Sequence, residues 1–271
     1  YKEEGSHEQE IETLTFYVGR LTASERPGNA LPVGRFRLAD AQREYGNLLV
    51  KSASTNENSE AAQTNAVAWL TRAVIGFGGV AKMLTESPAA YQNSDEEKKR
   101  NEQMLEMAVF TKALCLTQLQ YPKEKLNVFR KGAIAAFEEY VKQYPQGKLA
   151  SKAQLQVATL YTILPDPANA QAAFEKLSKA YPESDEAKNS VPMLAASLIE
   201  MGLRGEGVAK YREMFAKGGT YTDGQFMAAA KALEDAKEYD MALQAYDKLL
   251  ASAKEMGVIA NAKIGHARSM V

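Results

Sequence analysis

The feature that most constrains this chain is a recurring triplet: a small residue, an aromatic four positions on, and an apolar residue three further. It reads Ala133, Phe137, Tyr140, then Ala170, Phe174, Leu177, then Gly207, Tyr211, Met214, then Ala242, Tyr246, Leu249. The aromatics are spaced 37, 37 and 35 residues apart. Offsets of i, i+4 and i+7 place all three on one face of an α-helix. A stride in the mid-thirties held over four copies is that of a two-helix unit. A second set keeps step 12 residues upstream: Ala158, Ala195 and Ala230, followed three positions later by Tyr161, Leu198 and Leu233. Gly265 extends that set, 35 residues after Ala230. Four residues ahead of these alanines stand Gln154, Val191 and Phe226, of which Gln154 breaks the apolar pattern.

The residue types have a physical reason. Two antiparallel helices approach closely only where small side chains sit at the crossing. The aromatic then fills the space between one pair and the next, which is worth roughly 1.5–3 kcal/mol for a large buried side chain. No single pair buries its apolar face, so the pairs must stack. The expected fold is all-α, an α-solenoid of stacked antiparallel helix pairs with an irregular helical N-terminal half.

Several positions together resemble the tetratricopeptide repeat (TPR) family, over about Gly132 to Val271. That family places small residues at its eighth and twentieth positions, an aromatic at the twenty-fourth and a proline near the thirty-second. Tyr144-Pro145 and Tyr181-Pro182 match the ending, because a residue before proline is driven out of the helical region. Glu238-Tyr239-Asp240 and Gly202 match the turn between paired helices. The final helix reads as the first half of a repeat whose second half is missing.

Upstream of about Arg130 the clean period is lost. Helices are expected over Glu8–Thr22, Phe36–Lys51, Glu60–Leu84 and Asp95–Gln120, with a loop over Arg26–Gly34 set by two prolines and two glycines. Within "LADAQREYGNLLVKS", Ala41, Tyr45 and Leu48 repeat the i, i+4, i+7 pattern. Asn58 or Ser59 is expected to cap one helix, and Ser94 with Glu97 to form a capping box on another. This gives an irregular helical region over 1–93 and repeats over 94–271, the last incomplete.

Composition excludes some roles. A net charge of −1 offers no basic field for nucleic acid or anionic lipid. The apolar run Asn65–Leu84 is interrupted by Arg72 and Lys82, so no integral membrane segment is expected. The lone Cys115 lies among leucines at helical spacing and reads as core filler. "IGFGGVAK" lacks the spacing of a phosphate-binding loop, and its glycines suit a close helix contact or a break. His7 and His266 have no ligand partners at zinc spacing. No catalytic residue, metal or cofactor is expected, so the chain reads as non-enzymatic.

The TPR resemblance implies a concave groove lined by the first helix of each pair. By that resemblance the groove positions are Lys152, Leu155, Thr159 and Thr162, then Asn189, Pro192, Ala196 and Ile199, then Gly224, Met227, Lys231 and Glu234, with Met193 and Met227 adding adaptable apolar surface. Family members that clamp a carboxylate tail need asparagine at the ninth position. Thr159, Ala196 and Lys231 stand there instead, which argues against that mode. The implied partner is another protein or peptide. "AFEEYVKQYPQGKLASKAQLQVATLY", echoed by "KAYPESDEAKNSV", resembles bacterial envelope TPR proteins of the periplasmic and outer-membrane assembly type. That resemblance implies a scaffold in the periplasm or envelope, with the cytoplasm as the alternative. Two other readings stand beside it. One is a homo-oligomerising structural module joined through its final helix, and the other an enzyme with a site in the N-terminal half. The chain begins at Tyr1 without an initiator methionine, which points to residues upstream.

Overall fold

The computed structural model describes residues 2–26, 28–53, 59–217 and 221–270, the side chains of 2–4, 59 and 217 aside. Among them are thirteen α-helices, two short 3-10 turns and no strand. The chain divides into two compact units, Tyr1–Ala153 and Gln154–Val271. This division is one of packing, whereas the 93/94 boundary expected from sequence is one of repeat register.

The first unit is built on five long helices: α1 (Lys2–Thr22), α2 (Ala30–Ala53), α3 (Ser59–Glu86), α4 (Asp95–Gln118) and α5 (Leu126–Gln143). Each packs on the next, and α2 against α3 is the most extensive of these contacts. The α3 core stripe is Ala66, Leu70, Ala73, Phe77, Val80 and Leu84, all buried. Steps of four and three alternate along it, so the stripe stays on one face. Glu60–Glu86 is long and apolar enough to cross a membrane by length and composition alone. Here its opposite face carries Thr71, Arg72 and Lys82 into solvent.

Two sequence expectations need correcting in this unit. The Arg26–Gly34 loop is shorter than expected, because α2 begins at Ala30 and takes Leu31, Pro32, Val33 and Gly34 into its first turns. Proline costs nothing there, since first-turn amides have no helical acceptor. The turn is made instead at Gly28, with φ of 54°. The glycines of α3 break nothing. The helix runs through all three, and a Cβ on Gly76 would lie 2.7 Å from Ala39 Cβ of α2. Ser94 Oγ accepts from Glu97 N at 3.2 Å, but the Glu97 carboxylate accepts in return from Asn93 N rather than from Ser94 N, so the capping box is not closed. The Asn58 alternative for the α3 cap lies outside the described residues, as does the Ser59 side chain.

The second unit comprises shorter helices: most of α6 (Ala150–Ile163), then α7 (Pro167–Ala180), the single turn α8 (Asp185–Lys188), α9 (Ser190–Glu200), α10 (Arg204–Lys217), α11 (Asp223–Asp235), α12 (Tyr239–Ser252) and α13 (Met256–Ser269). Helix α9 pairs with α10 and α11 with α12, and α9 touches α11, which touches α13. The periodic positions are core. Ala158, Ala195, Ala230, Ala170 and Ala242 are fully buried, as are Tyr211, Tyr246, Leu177 and Leu249, with Phe174 at 2% and Met214 at 1% exposure. A Cβ on Gly207 would stand 2.6 Å from Ala195 O and 2.6 Å from Ile199 Cγ1, so α9 and α10 meet backbone to backbone there. Helix α7 ends at Ala180, ahead of Tyr181-Pro182, and Asp166 caps its start by accepting from Asn169 N at 3.2 Å. Gly202 turns between α9 and α10 with φ of 85°.

Two periodic positions depart from pattern. Tyr161 is only half-buried, because Leu160 takes the core place beside it. Gln154 is buried, and its Nε2 donates to Ala173 O of α7 at 3.2 Å, while its Oε1 has no hydrogen-bond partner. A polar residue survives among the apolar ones by bonding the partner helix's backbone.

Candidate functional site

The sequence-derived groove residues fall on α6, on α9 and the residue before it, and on α11. Lys152 is exposed on α6 but belongs to the first unit, so it is not grouped with the rest. Leu155, Thr159 and Thr162 share one half-buried face of α6, and Thr162 Oγ1 donates to Thr159 O at 2.7 Å. Met193, Ala196 and Ile199 share a face of α9; Met227 and Lys231 share one of α11. Ala196, Ile199 and Met227 also pack against the core of this unit, whereas Lys231 is exposed. Pro192 is buried and Gly224 is exposed at the start of α11. The structure thus brings Met193, Ala196, Met227 and Lys231 onto neighbouring helices.

Asn189 and Glu234 do something the sequence reading missed. Gln225 Nε2 of α11 donates to Asn189 Oδ1 at 2.6 Å, tying the starts of successive first helices. At the other end, Arg268 Nε of α13 pairs with Glu234 Oε1 at 2.9 Å, and Tyr246 Oη donates to Glu234 Oε2 at 2.8 Å. Burial, and after it the Glu234 bond, pushes the Tyr246 phenol up to about 12. The two ties span 36 and 34 residues, which is the repeat stride itself. That spacing was the signal available in sequence: polar pairs one period apart lie side by side on adjacent repeats. Tyr211 occupies the place of Tyr246 one repeat earlier, yet its hydroxyl is buried without a partner, and burial raises its pKa. The residue standing where Glu234 would is Ile199.

The other candidates are quickly placed. Cys115 is buried, and burial pushes its thiol up to about 12. His266 has a partner that its sequence neighbours did not show, Asp247 of α12 at 3.0 Å. Among the described residues no group of three or more His, Cys, Asp or Glu is placed to hold a metal ion. Phe77 is packed solid, while an open cleft lies on the adjoining face, lined by Arg72, Ile75, Gly76 and Gly79 from α3.

No family model and no curated protein matches this chain. Among solved structures it is similar to a tetratricopeptide repeat protein from Parabacteroides merdae ATCC 43184, with 16% identity, TM-score 0.41, 98% of this chain and 100% of that one covered. It is also similar to Pseudomonas aeruginosa pilF, with 16% identity, TM-score 0.38 and coverage of 85% and 99%. A computationally designed self-assembling cyclic homo-oligomer gives 15% identity, TM-score 0.33 and coverage of 98% and 90%. The TPR-like character is carried by this chain's own packing: paired helices, small residues at the crossings and buried aromatics at the repeat stride.

Proposed function

We propose that this chain is a non-enzymatic scaffold that binds another protein or peptide along the exposed face of its first-type helices, α9 and α11 above all. The observation that carries this is the combination at Met193, Ala196, Met227 and Lys231. Unbranched, polarizable and small side chains alternate with one cation on a face fixed at both ends by the Asn189–Gln225 and Glu234–Arg268 ties. Methionine adapts to varied apolar partners, and a held backbone lowers the ordering cost of binding. A photo-crosslinker at Met227 is expected to capture a partner that one at Lys248, exposed on α12, does not. Equal capture from both positions, or capture only from Lys248, would remove the reading.

We further propose that the scaffold works in the bacterial envelope, a reading supported by the sequence resemblance around Ala136–Tyr161. Fractionation of the native source tests it, and recovery wholly with cytosolic markers would overturn it. One observation favours self-association as a second reading: Met256, Ile264 and Met270 of the α13 region are 79%, 57% and 69% exposed. Exposed apolar side chains gathered on one element are a common basis for association. Light scattering over a range of concentrations decides, since an unchanging monomer mass excludes it.

A further inference from the structure

Helix α13 continues the series of first-type helices at the stride of α9 and α11, yet its outer face is unlike theirs. Ile264 stands where Ala229 and Leu194 stand one and two strides earlier. Those two are buried, at 0% and 4% exposure, whereas Ile264 is 57% exposed. Ala260 stands where α11 has Gln225 and α9 has Ser190, and Met270 stands where those helices have Asp235 and Glu200. Both places are polar in the inner repeats and apolar at α13. A first-type helix that takes only a helix like α10 or α12 on this face needs no such change.

The same face has a second property. Met256, Ala260, Ile264, Ala267 and Met270 are all exposed, and Met270 continues the turn with helical backbone angles. At about 100° per residue the five fall within an arc of roughly 120°. The buried Ala262, Gly265 and Ser269 lie on the other side of the helix. From either end the exposed face reads methionine, alanine, isoleucine, alanine, methionine. Laid antiparallel on a copy of itself, it sets Ala260 opposite the partner's Ala267 and Met256 opposite the partner's Met270. Ile264 then lies beside the stem of the partner's Lys263, whose ammonium reaches solvent. A two-fold interface demands this self-complementarity, because one patch must meet itself reversed. The alanine pairs let the backbones approach, and the methionines fill the ends.

We propose that two copies of this chain associate through α13 laid antiparallel on α13, about a two-fold axis between Lys263 and Ile264. The proposal rests on the self-association reading and adds to it the partner's orientation and register. A face of about four helical turns is smaller than the roughly 800 Å² each partner buries in a standard interface, so a weak, micromolar dimer is expected.

The test joins sedimentation of the intact chain, over a range of micromolar concentrations, with site-specific disulfide formation. The average mass is expected to climb from monomer toward dimer with concentration. Ile264→Glu, at an exposed position, should keep the melting temperature and weaken the dimer by at least about tenfold, since it buries a carboxylate on the axis. A mixture of Ala260→Cys and Ala267→Cys chains should cross-link, and neither variant alone should, because equivalent alanines of the two copies stand roughly 10 Å apart along the axis. The native Cys115 is buried and stays out of the reaction. A mass that stays monomeric removes self-association altogether. A dimer that survives Ile264→Glu, or in which Ala260→Cys cross-links with itself as readily as with Ala267→Cys, keeps self-association and overturns this interface. A peptide of the α12 sequence, Tyr239–Ser252, that binds α13 and holds the chain monomeric overturns it too, making a second-type helix the occupant.

Discussion

Helices α9 and α10 touch where Gly207 lies against the Ala195 carbonyl; helices α2 and α3 touch where Gly76 lies against Ala39 and Gly46 against Leu70. The contact is the same in kind, a missing side chain that lets two helices close up. The setting differs. In the second unit the small residue returns every repeat, because each pair of 11–14-residue helices must present the same crossing to the next. In α1–α4 of the first unit, helices of 21–28 residues cross at unrepeated points, and their glycines obey no period. A search by stride therefore finds the second unit and α5 of the first, where Ala133, Phe137 and Tyr140 are buried, and passes over α1–α4, although both regions pack by one rule.

If packing quality is equal in the two units, Phe174→Ala and Phe77→Ala should each lower stability by about 3–5 kcal/mol in denaturant titrations. A loss under about 1 kcal/mol at either would mark that unit as loosely packed. Ala158→Leu should cost roughly 1–3 kcal/mol by overpacking, and an unchanged melting curve would count against the repeat register. Gly76→Ala and Gly79→Ala, three residues apart on α3, should move in opposite directions. The first should lose about 1 kcal/mol where the helices touch. The second should gain roughly 0.5–1 kcal/mol from helix propensity alone. Tyr246→Phe should cost about 1 kcal/mol by removing the Glu234 bond, whereas Tyr211→Phe should be neutral or stabilising, since it deletes a buried hydroxyl without a partner.

The smallest effect is on pH dependence. The Tyr246 phenol is raised in the folded state, so between pH 10 and about 12 the folded chain holds a proton that the unfolded chain has released. Its contribution is complete below pH 10 and is lost as pH rises toward about 12. Alkaline melts of Tyr246→Phe should show a shallower decline than the parent chain, and identical slopes would contradict the burial that raises the phenol.

Some of the candidate site was legible before the coordinates. Small, aromatic and apolar residues at fixed offsets named much of the core of the second unit, Tyr161 excepted, down to Gly265, where an added side chain would collide with the Tyr246 ring. The sequence reading also picked Met193 on α9 and Met227 on α11, each half-buried. It did not show that Asn189 and Glu234 are occupied in holding one repeat to the next. A groove position and a tie position are the same kind of residue in a linear pattern, and only the neighbour one stride away tells them apart. The Arg26–Gly34 segment misled for a related reason: proline reads as a breaker wherever it stands, while its cost depends on whether the lost amide had an acceptor.

Periodicity belongs to the chain, because side-chain direction repeats with the backbone's own pitch. From it followed an all-helical fold, the pairing of helices and the identity of the buried aromatics. Which unrepeated residues meet is another matter: Gly76 on Ala39, Gly46 on Leu70, Glu234 on Arg268. Those meetings are set by where long helices cross, and a crossing point is a property of two surfaces fitted together rather than of either sequence read along its length.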